Sequence, residues 1–229
     1  MAKKRQTEIL KYLKNKKTAS VKEIAQKFFV SEMTVRRDFK ELENLGYIER
    51  FNGGASFLND YNFMPIRLRK RLHTEVKKSL CEKAKKYIHN NMAVYIDSSS
   101  TCLYIVSLLS EYDGITVFTN SVQCLVEASK YNIKCFMAGG LYFAHDMCTV
   151  GGDTITFLQN INTDIGFFSA LGMSDDGIIS DFDISQNDVR KAALLNCAKK
   201  IFLFETAKQH QKYPYTLCRT DEADDIIIL

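Results

Sequence analysis

The stretch Ser20–Ala55, SVKEIAQKFFVSEMTVRRDFKELENLGYIERFNGGA, decides the fold of the first part of this chain. Glu23 follows Ser20 at the spacing of a capping box, so a helix is predicted to begin at about Val21. Ser31 is a suitable N-cap for a second helix. Because only FFV separates the two, the pattern predicts two short helices joined by a tight turn, which is a helix-turn-helix.

The second of these helices has two contrasting faces. Val35, Phe39 and Leu42 recur at helical spacing and are predicted to face a core. The outward face carries Glu32, Met33, Arg36, Arg37 and Lys40, with Thr34 in the first turn. Arginine can bond guanine O6 and N7, threonine can meet a thymine methyl group, and lysine suits phosphate. This face is therefore predicted to read duplex DNA.

The charge of the chain is unevenly distributed. Residues 1–57 hold 13 Lys and Arg against 7 Asp and Glu, whereas the remainder holds 18 basic and 20 acidic residues. A basic head on a nearly neutral body suggests that the head binds a polyanion. The alternative is a solvated helical bundle in which the arginines pair with Asp38 and Glu41.

The segment Tyr47–Ala55, YIERFNGGA, alternates and then turns at Gly53–Gly54, as a small β-wing does. Together with the preceding helix, in which Gly46 is the predicted end, it resembles the signature of the DeoR family of bacterial transcription regulators. Asn52 stands where that family usually has histidine, and it can still bond phosphate. The resemblance implies a winged helix-turn-helix that binds operator DNA through Ser31, Thr34, Arg36, Arg37, Lys40, Arg50 and Asn52.

Residues 58–74 have no clean period and contain Pro65, so we interpret them as a linker between a DNA-binding domain at 1–57 and a second domain at 75–229. In the second domain, apolar runs such as AVYI alternate with amphipathic segments. This pattern is typical of a mostly parallel α/β sheet. The fold class predicted for the chain is thus α/β, with an N-terminal winged helix-turn-helix.

Polar and glycine residues follow the predicted strands at their carboxyl ends, where parallel sheets bind ligands. Hydroxyl groups, glycine N–H groups and a lysine suit a phosphate, and an aspartate suits sugar hydroxyls. Each element alone is also explained by helix capping or a turn. The candidate effector residues are Asp97, Ser99, Ser100, Thr101, Thr119, Asn120, Ser121, Gly139, Gly140, Gly172 and Lys208.

These strand-end blocks also resemble the sensor domain of the DeoR family, which is similar to ribose-5-phosphate isomerase and senses phosphorylated sugars. Ser99 stands where the family has glycine, Glu205 where it has aspartate, and Ala207 where it has serine, while Lys208 is retained. The resemblance implies an α/β effector-sensing and oligomerisation domain.

Other function classes receive little support. The seven cysteines are scattered without a C-x-x-C pair, so neither a disulfide framework nor a metal site is predicted, and no cofactor is expected. The serines at 98–100 lack the G-x-S-x-G frame of a nucleophile turn. A less favoured alternative is an isomerase-like enzyme that uses Asp97, Asp175, Asp176 or Asp183 as a general base.

The sequence therefore predicts a cytoplasmic, homo-oligomeric (dimer or tetramer) repressor with no membrane partner. Its partners are operator DNA and a phosphorylated sugar, and it is not an enzyme. The alternative is a constitutive DNA-binding protein whose second domain only oligomerises.

Overall fold

The computed structural model describes residues 2–44, 47–57 and 65–229 and divides the chain into two compact units. The N-terminal unit ends at Arg69 and the C-terminal unit begins at Lys70. Gly46 and residues 58–64 of the predicted linker lie outside the described residues. The predicted boundaries at 57 and 75 stay a prediction.

The N-terminal unit is a helical core with a small antiparallel sheet. Its elements are α1 (Ala2–Lys16), β1 (Thr18–Ser20), α2 (Val21–Lys27), α3 (Glu32–Asn44), β2 (Ile48–Phe51), β3 (Gly54–Phe57) and α4 (Ile66–Arg69). The strands are ordered β1-β3-β2. The wing turns at Asn52–Gly53, one residue earlier than expected, because Gly53 takes the positive φ of 87° and Gly54 already belongs to β3.

The C-terminal unit alternates strands with helices. Its helices are α5 (Thr74–Ala84), α6 (Ile105–Leu109), α7 (Val122–Lys130), α8 (Gly152–Gln159) and α9 (Ile184–Leu195). Its strands are β4 (Ala93–Ile96), β5 (Thr116–Thr119), β6 (Lys134–Met137), β7 (Leu141–Phe143), β8 (Cys148–Val150), β9 (Ile165–Phe168), β10 (Gly172–Met173), β11 (Ile178–Asp181), β12 (Lys200–Phe204), β13 (Tyr215–Arg219) and β14 (Asp225–Ile228).

Within the described residues, the central sheet has six strands in the order β14-β12-β9-β4-β5-β6, all parallel. Both of its faces are buried, which explains the unbroken apolar runs. In β4, Val94 and Ile96 join the core beneath α5, α6 and α7, whereas Tyr95 joins the core beneath α9. The predicted fold class is confirmed. A smaller antiparallel sheet, β10-β11-β13, and a hairpin, β7-β8, were not predicted.

Candidate DNA interface and ligand site

Helix α3 is fixed by its cap and by its buried face. Ser31 Oγ accepts the Thr34 N–H at 3.2 Å and lies 3.0 Å from Thr34 Oγ1. Val35, Phe39 and Leu42 are 0–1% exposed, as their spacing predicted. The opposite face of α3 must therefore project into solvent.

Asp38 ties α3 to α1. Its carboxylate accepts two bonds from Arg5, at 2.6 and 3.0 Å, and one from Gln6 at 3.2 Å. The bond to Asp38 raises the pKa of Arg5 against the opposing effect of burial. Glu41 accepts a bond from the same Gln6. The acidic residues on this side of α3 therefore serve the packing of α1 rather than holding Arg36 and Arg37.

Four cations gather on the exposed side of α3 and the wing. A depression of about 420 Å³ is lined by Met33, Thr34, Arg36, Arg37, Lys40 and Arg50. Arg36 lies 3.6 Å from Glu32, and Arg50 bonds Glu43 at 2.6 Å. Among the described residues, Arg37 and Lys40 have no ion-pair partner. Asn52 is exposed in the wing turn, and Ser31 is exposed at the start of α3. A cationic depression beside a helix that projects its first turn suits a phosphate-lined groove.

At the carboxyl edge of the sheet, Asp97 is fully engaged by the protein. Its Oδ1 accepts the Ser99 N–H at 2.8 Å and its Oδ2 accepts the Ser169 N–H at 2.9 Å. Arg190 Nε lies 3.5 Å from the same Oδ2. The side chain is 0% exposed. Asp97 thus joins the ends of β4 and β9 to α9.

Arg190 is a buried cation that sequence reasoning missed. It donates to Asp181 Oδ2 at 2.8 Å and to Asn187 Oδ1 at 3.4 Å. Burial lowers the pKa of Arg190, but the charges of Asp181 and Asp97 outweigh that effect and leave the pKa raised. The signal was an arginine on the same helical face as Ala193, a position that normally carries an apolar side chain.

The residues at the carboxyl end of β5 are also held by backbone groups. Thr119 Oγ1 donates to Ile96 O at 2.7 Å, and Asn120 Nδ2 donates to Thr149 O at 2.9 Å. Ser121 Oγ caps α7 by accepting the Cys124 N–H at 3.2 Å. These three predicted ligand residues are at most 2% exposed and link β5 to its neighbours.

The glycines are where this edge opens. Gly139 and Gly140 are exposed after β6. Gly140 has φ 134°, and a Cβ there would fall 2.2 Å from Thr154 Oγ1, so only glycine fits. Thr154, in the first turn of α8, donates to Gly139 O at 2.6 Å. The Gly139–Gly140 loop therefore lies against the start of α8.

Two further glycines at that point were missed. Gly151 precedes α8 with φ 94°, and Gly152 is its first residue. A Cβ built at Gly139, Gly151 or Gly152 meets no atom within 4 Å, so space is open there. Free N–H groups at a helix N-terminus are anion donors. The signal in the sequence was VGGDTITF, a glycine pair directly before an amphipathic run.

Lys208, Ser99 and Gly172, three further predicted effector residues, are bonded or buried within the protein, as Asp97 is. Lys208 Nζ donates to Ser169 Oγ at 3.1 Å and to Ala170 O at 2.9 Å, and the residue is half-buried. Ser99 Oγ accepts the Cys102 N–H at 3.1 Å. Gly172 is buried where a Cβ would lie 2.6 Å from Gln211 O, which is a structural reason for its glycine.

Ser100 and Thr101 are also buried, at 4% and 1% exposure. Within the described part of the chain, Thr101 Oγ1 is buried without a hydrogen-bond partner. A buried hydroxyl of this kind calls for an explanation, and a bound ligand is one.

Glu205 lies in a small titratable cluster that the sequence did not indicate. His73 Nδ1 is 2.5 Å from Glu205 Oε2, and the fully buried Lys77 Nζ is 3.7 Å from Glu205 Oε1. The longer side chain at the position where an aspartate was expected reaches toward α5. This gives Glu205 a partner on another element.

Within the described ranges, no group of three or more His, Cys, Asp or Glu side chains is arranged to hold a metal ion. Nor does any described helix combine the length and apolar character that a membrane crossing requires.

Known family models match both units of the chain. The DeoR-like helix-turn-helix domain matches residues 5–60, and the DeoR C terminal sensor domain matches residues 72–228. A solved D-ribose-5-phosphate isomerase in complex with phospho-erythronic acid is similar at a TM-score of 0.46 and 18% identity, covering 59% of this chain and 54% of that one.

Curated relatives cover nearly the whole chain. The L-fucose operon activator of Escherichia coli K12 is 28% identical, covering 97% of this chain and 93% of the relative. The glycerol-3-phosphate regulon repressor of the same strain is 25% identical, with coverages of 87% and 80%. Both relatives are transcriptional regulators, and so is this protein. The chain belongs to the DeoR family of DNA-binding transcriptional regulators.

Proposed function

We propose that this chain is a cytoplasmic repressor of a sugar-metabolism operon, and that a phosphorylated sugar releases it from operator DNA. The observation that carries the sensing half is the open, glycine-lined space at the start of α8, beside the Gly139–Gly140 loop. In the same domain, Lys208 follows the parallel strand β12, and Thr101, whose buried hydroxyl has no hydrogen-bond partner among the described residues, follows the parallel strand β4.

The DNA-binding half of the proposal rests on α3. Helix α3 and the wing present Arg36, Arg37, Lys40 and Arg50 around one depression. Recognition helices insert their N-terminal residues into the major groove, while flanking cations meet phosphates. Arg37 is the best candidate for a base contact because it is exposed and has no ion-pair partner among the described residues.

In the sensing half, we assign the phosphate to the N–H groups around Gly151 and Gly152. The helix dipole and the missing side chains favour an anion there. Asp97 then shapes the site rather than binding the sugar, because both of its oxygens already accept bonds from the protein. The glycerol-3-phosphate regulon repressor bears a phosphorylated polyol in its name, which supports this effector class.

The proposed mechanism is thermodynamic linkage. If the effector favours a state that fits DNA poorly, the affinity for DNA falls by the same factor by which DNA weakens the effector. A single small DNA-binding domain has only modest affinity for DNA, so we further propose a homo-oligomer that binds two half-sites.

DNA selection tests the first half. Duplexes are selected from a random pool with the full chain, and the affinity of the best duplex is compared between the wild type and Arg37→Ala. We expect a loss of about 1–3 kcal/mol in specific binding. Glu75→Ala, an exposed change on α5, is the matched control and should leave the affinity unchanged. Equal affinities for wild type and Arg37→Ala would remove Arg37 from the interface.

Thermal unfolding with a panel of sugar phosphates and the matching free sugars tests the second half. A phosphorylated ligand at 100 times its Kd stabilises the folded state by about 2.7 kcal/mol. Gly152→Val should abolish that shift, because the side chain fills open space without requiring a positive φ. If no phosphorylated sugar shifts the wild type, the constitutive alternative is favoured.

The direction of regulation needs its own measurement, because one relative is an activator and another a repressor. A reporter placed behind the selected operator should be expressed more strongly when the gene for this chain is deleted. Weaker expression would make the protein an activator.

A further inference from the structure

We infer that Met33 reads the C5 methyl group of a thymine and so sets the base preference at one position of each half-site. The inference deepens the proposed function, since it rests on the placement of α3 in the major groove. The first observation is exposure: Met33 is 77% exposed although it is a large apolar side chain.

Met33 occupies the part of α3 that reaches bases. The Ser31 cap fixes the start of the helix, so Met33 is its second residue and lies in the first turn. That turn contributes most base contacts in helix-turn-helix proteins. The side chain therefore stands where sequence is read rather than where phosphates are bound.

The surroundings of Met33 are cationic and polar. Of the described residues that line the 420 Å³ depression, Met33 is the apolar member, and four of the others are Arg36, Arg37, Lys40 and Arg50. These cations carry charged ends that suit phosphates and guanine, whereas Met33 ends in a thioether methyl group. On the major-groove edge, the thymine methyl is the apolar group to be matched.

The other candidate for that contact is Thr34, which the sequence favoured. Thr34 is half-buried, and its hydroxyl lies 3.0 Å from Ser31 Oγ in the cap. Met33 is more exposed, and its unbranched, polarisable thioether adapts to an apolar surface. The methyl-reading role therefore passes from Thr34 to Met33.

The test removes one methyl group at a time from the DNA. Full-length wild-type protein selects duplexes from a random pool, and each thymine of the best duplex is then replaced by deoxyuridine, which keeps every hydrogen-bonding group. At one position per half-site, the replacement should weaken wild-type binding about fourfold, as expected for one buried methyl group. Met33→Ala should bind the thymine and deoxyuridine duplexes equally.

Lys40→Ala is the matched control on the same helix. It should weaken binding to every duplex while keeping the fourfold ratio between thymine and deoxyuridine, because a phosphate contact carries no sequence information. Met33→Ala should unfold at the wild-type temperature, since the side chain is exposed.

Two results would overturn the inference while leaving the proposed function intact: wild-type binding that is insensitive to every deoxyuridine, or a fourfold ratio that persists in Met33→Ala. If the wild type selects no sequence at all, the proposed operator binding fails, and the inference fails with it.

Discussion

The candidate groups on α3 and those at the carboxyl edge of the sheet are in opposite states. Arg37, Lys40 and Met33 project into solvent, whereas Asp97 and Asn120 are about 1% exposed and bonded to the protein's own backbone. In both sets, residue type and position in the sequence indicate a binding role. The comparison teaches that residue type suggests a site, while burial together with existing hydrogen bonds separates the groups that are available to a ligand from those that hold the protein in shape.

The cause of the difference lies in the two architectures. A helix satisfies its own backbone bonds, so its outward side chains are available to a partner. A parallel strand that ends inside a packed domain leaves N–H and C=O groups that must find acceptors and donors. At the ends of β4 and β5, Asp97, Thr119 and Asn120 meet that requirement. The glycines near α8 lack side chains and leave the edge open.

The sharpest test of this comparison is Asp97→Ala. We expect the free energy of unfolding to fall by about 3–5 kcal/mol, because the change removes one of the two carboxylates beside the buried Arg190 and leaves two backbone N–H groups without an acceptor. Urea unfolding monitored by circular dichroism measures it.

Asp175→Ala is the matched control for that prediction. Its side chain is 80% exposed in the same unit, so the stability should stay within about 0.5 kcal/mol of the wild type. An Asp97→Ala protein of normal stability that no longer responds to sugar phosphates would reverse the assignment and make Asp97 a ligand.

Asp38→Ala tests whether a buried carboxylate also stabilises the fold of the N-terminal unit. Asp38 is 1% exposed and accepts bonds from Arg5 and Gln6, so its removal should cost about 2 kcal/mol of unfolding free energy. Glu43→Ala removes an exposed pair with Arg50 and should cost less than about 1 kcal/mol. Equal losses, measured by urea unfolding, would contradict the distinction between buried and exposed acids.

Much of this fold followed from the sequence because local signals and tertiary packing agree. The apolar runs became the six parallel strands, and Ser20 and Ser31 cap α2 and α3 as their spacing predicted. Position after a strand also brought the candidate effector residues to strand ends. A period or a cap is local information, and it survives folding when the hydrophobic pattern supports it.

The rest depended on partners distant in sequence. Strand β1 has three residues and forms because Ala19 pairs with Ala55 of β3. No local sequence pattern predicts this pairing. The charge of Arg190 is stabilised in the interior because Asp97, just after β4, and Asp181, at the end of β11, both lie beside it. The hydrogen bonds of Asp97 depend on a distant partner too, since its carboxylate accepts the Ser169 N–H only when β9 lies beside β4.

A smaller effect concerns an exposed residue that is strained rather than packed. Phe29, in the turn before α3, has φ 52° and is 93% exposed. Phe29→Gly should raise the unfolding free energy by about 1 kcal/mol by removing the left-handed strain. Phe51→Gly, at an exposed strand position of ordinary φ, should lower it. If Phe29→Gly also weakens operator binding, the exposed reading surface extends to the turn.

The smallest expected effect concerns the reactivity of the cysteines, which reports how accessible the interior of the C-terminal unit is to solvent. The neighbouring Cys124 thiol lowers the pKa of Cys135 against the effect of burial, whereas Cys135 and burial together raise the pKa of Cys124. Burial raises the pKa of Cys197 to about 11 and that of Cys218 to about 12. At pH 8 a lower pKa means more thiolate, and Cys135 is also half-buried rather than enclosed. Iodoacetamide should therefore label Cys135 first in the native protein, as peptide mass spectrometry would show.

Cys135→Ser separates local reactivity from general opening. In that variant the remaining thiols should react slowly and only through unfolding, because the other cysteines are buried. If they label as fast as Cys135 does in the wild type, the core opens readily in solution. Burial in the folded chain would then not protect the groups at the sheet edge, and the contrast with the exposed face of α3 would weaken. Slow labelling would support the view that Asp97 and its neighbours are closed to solvent, so that a ligand enters by the glycines.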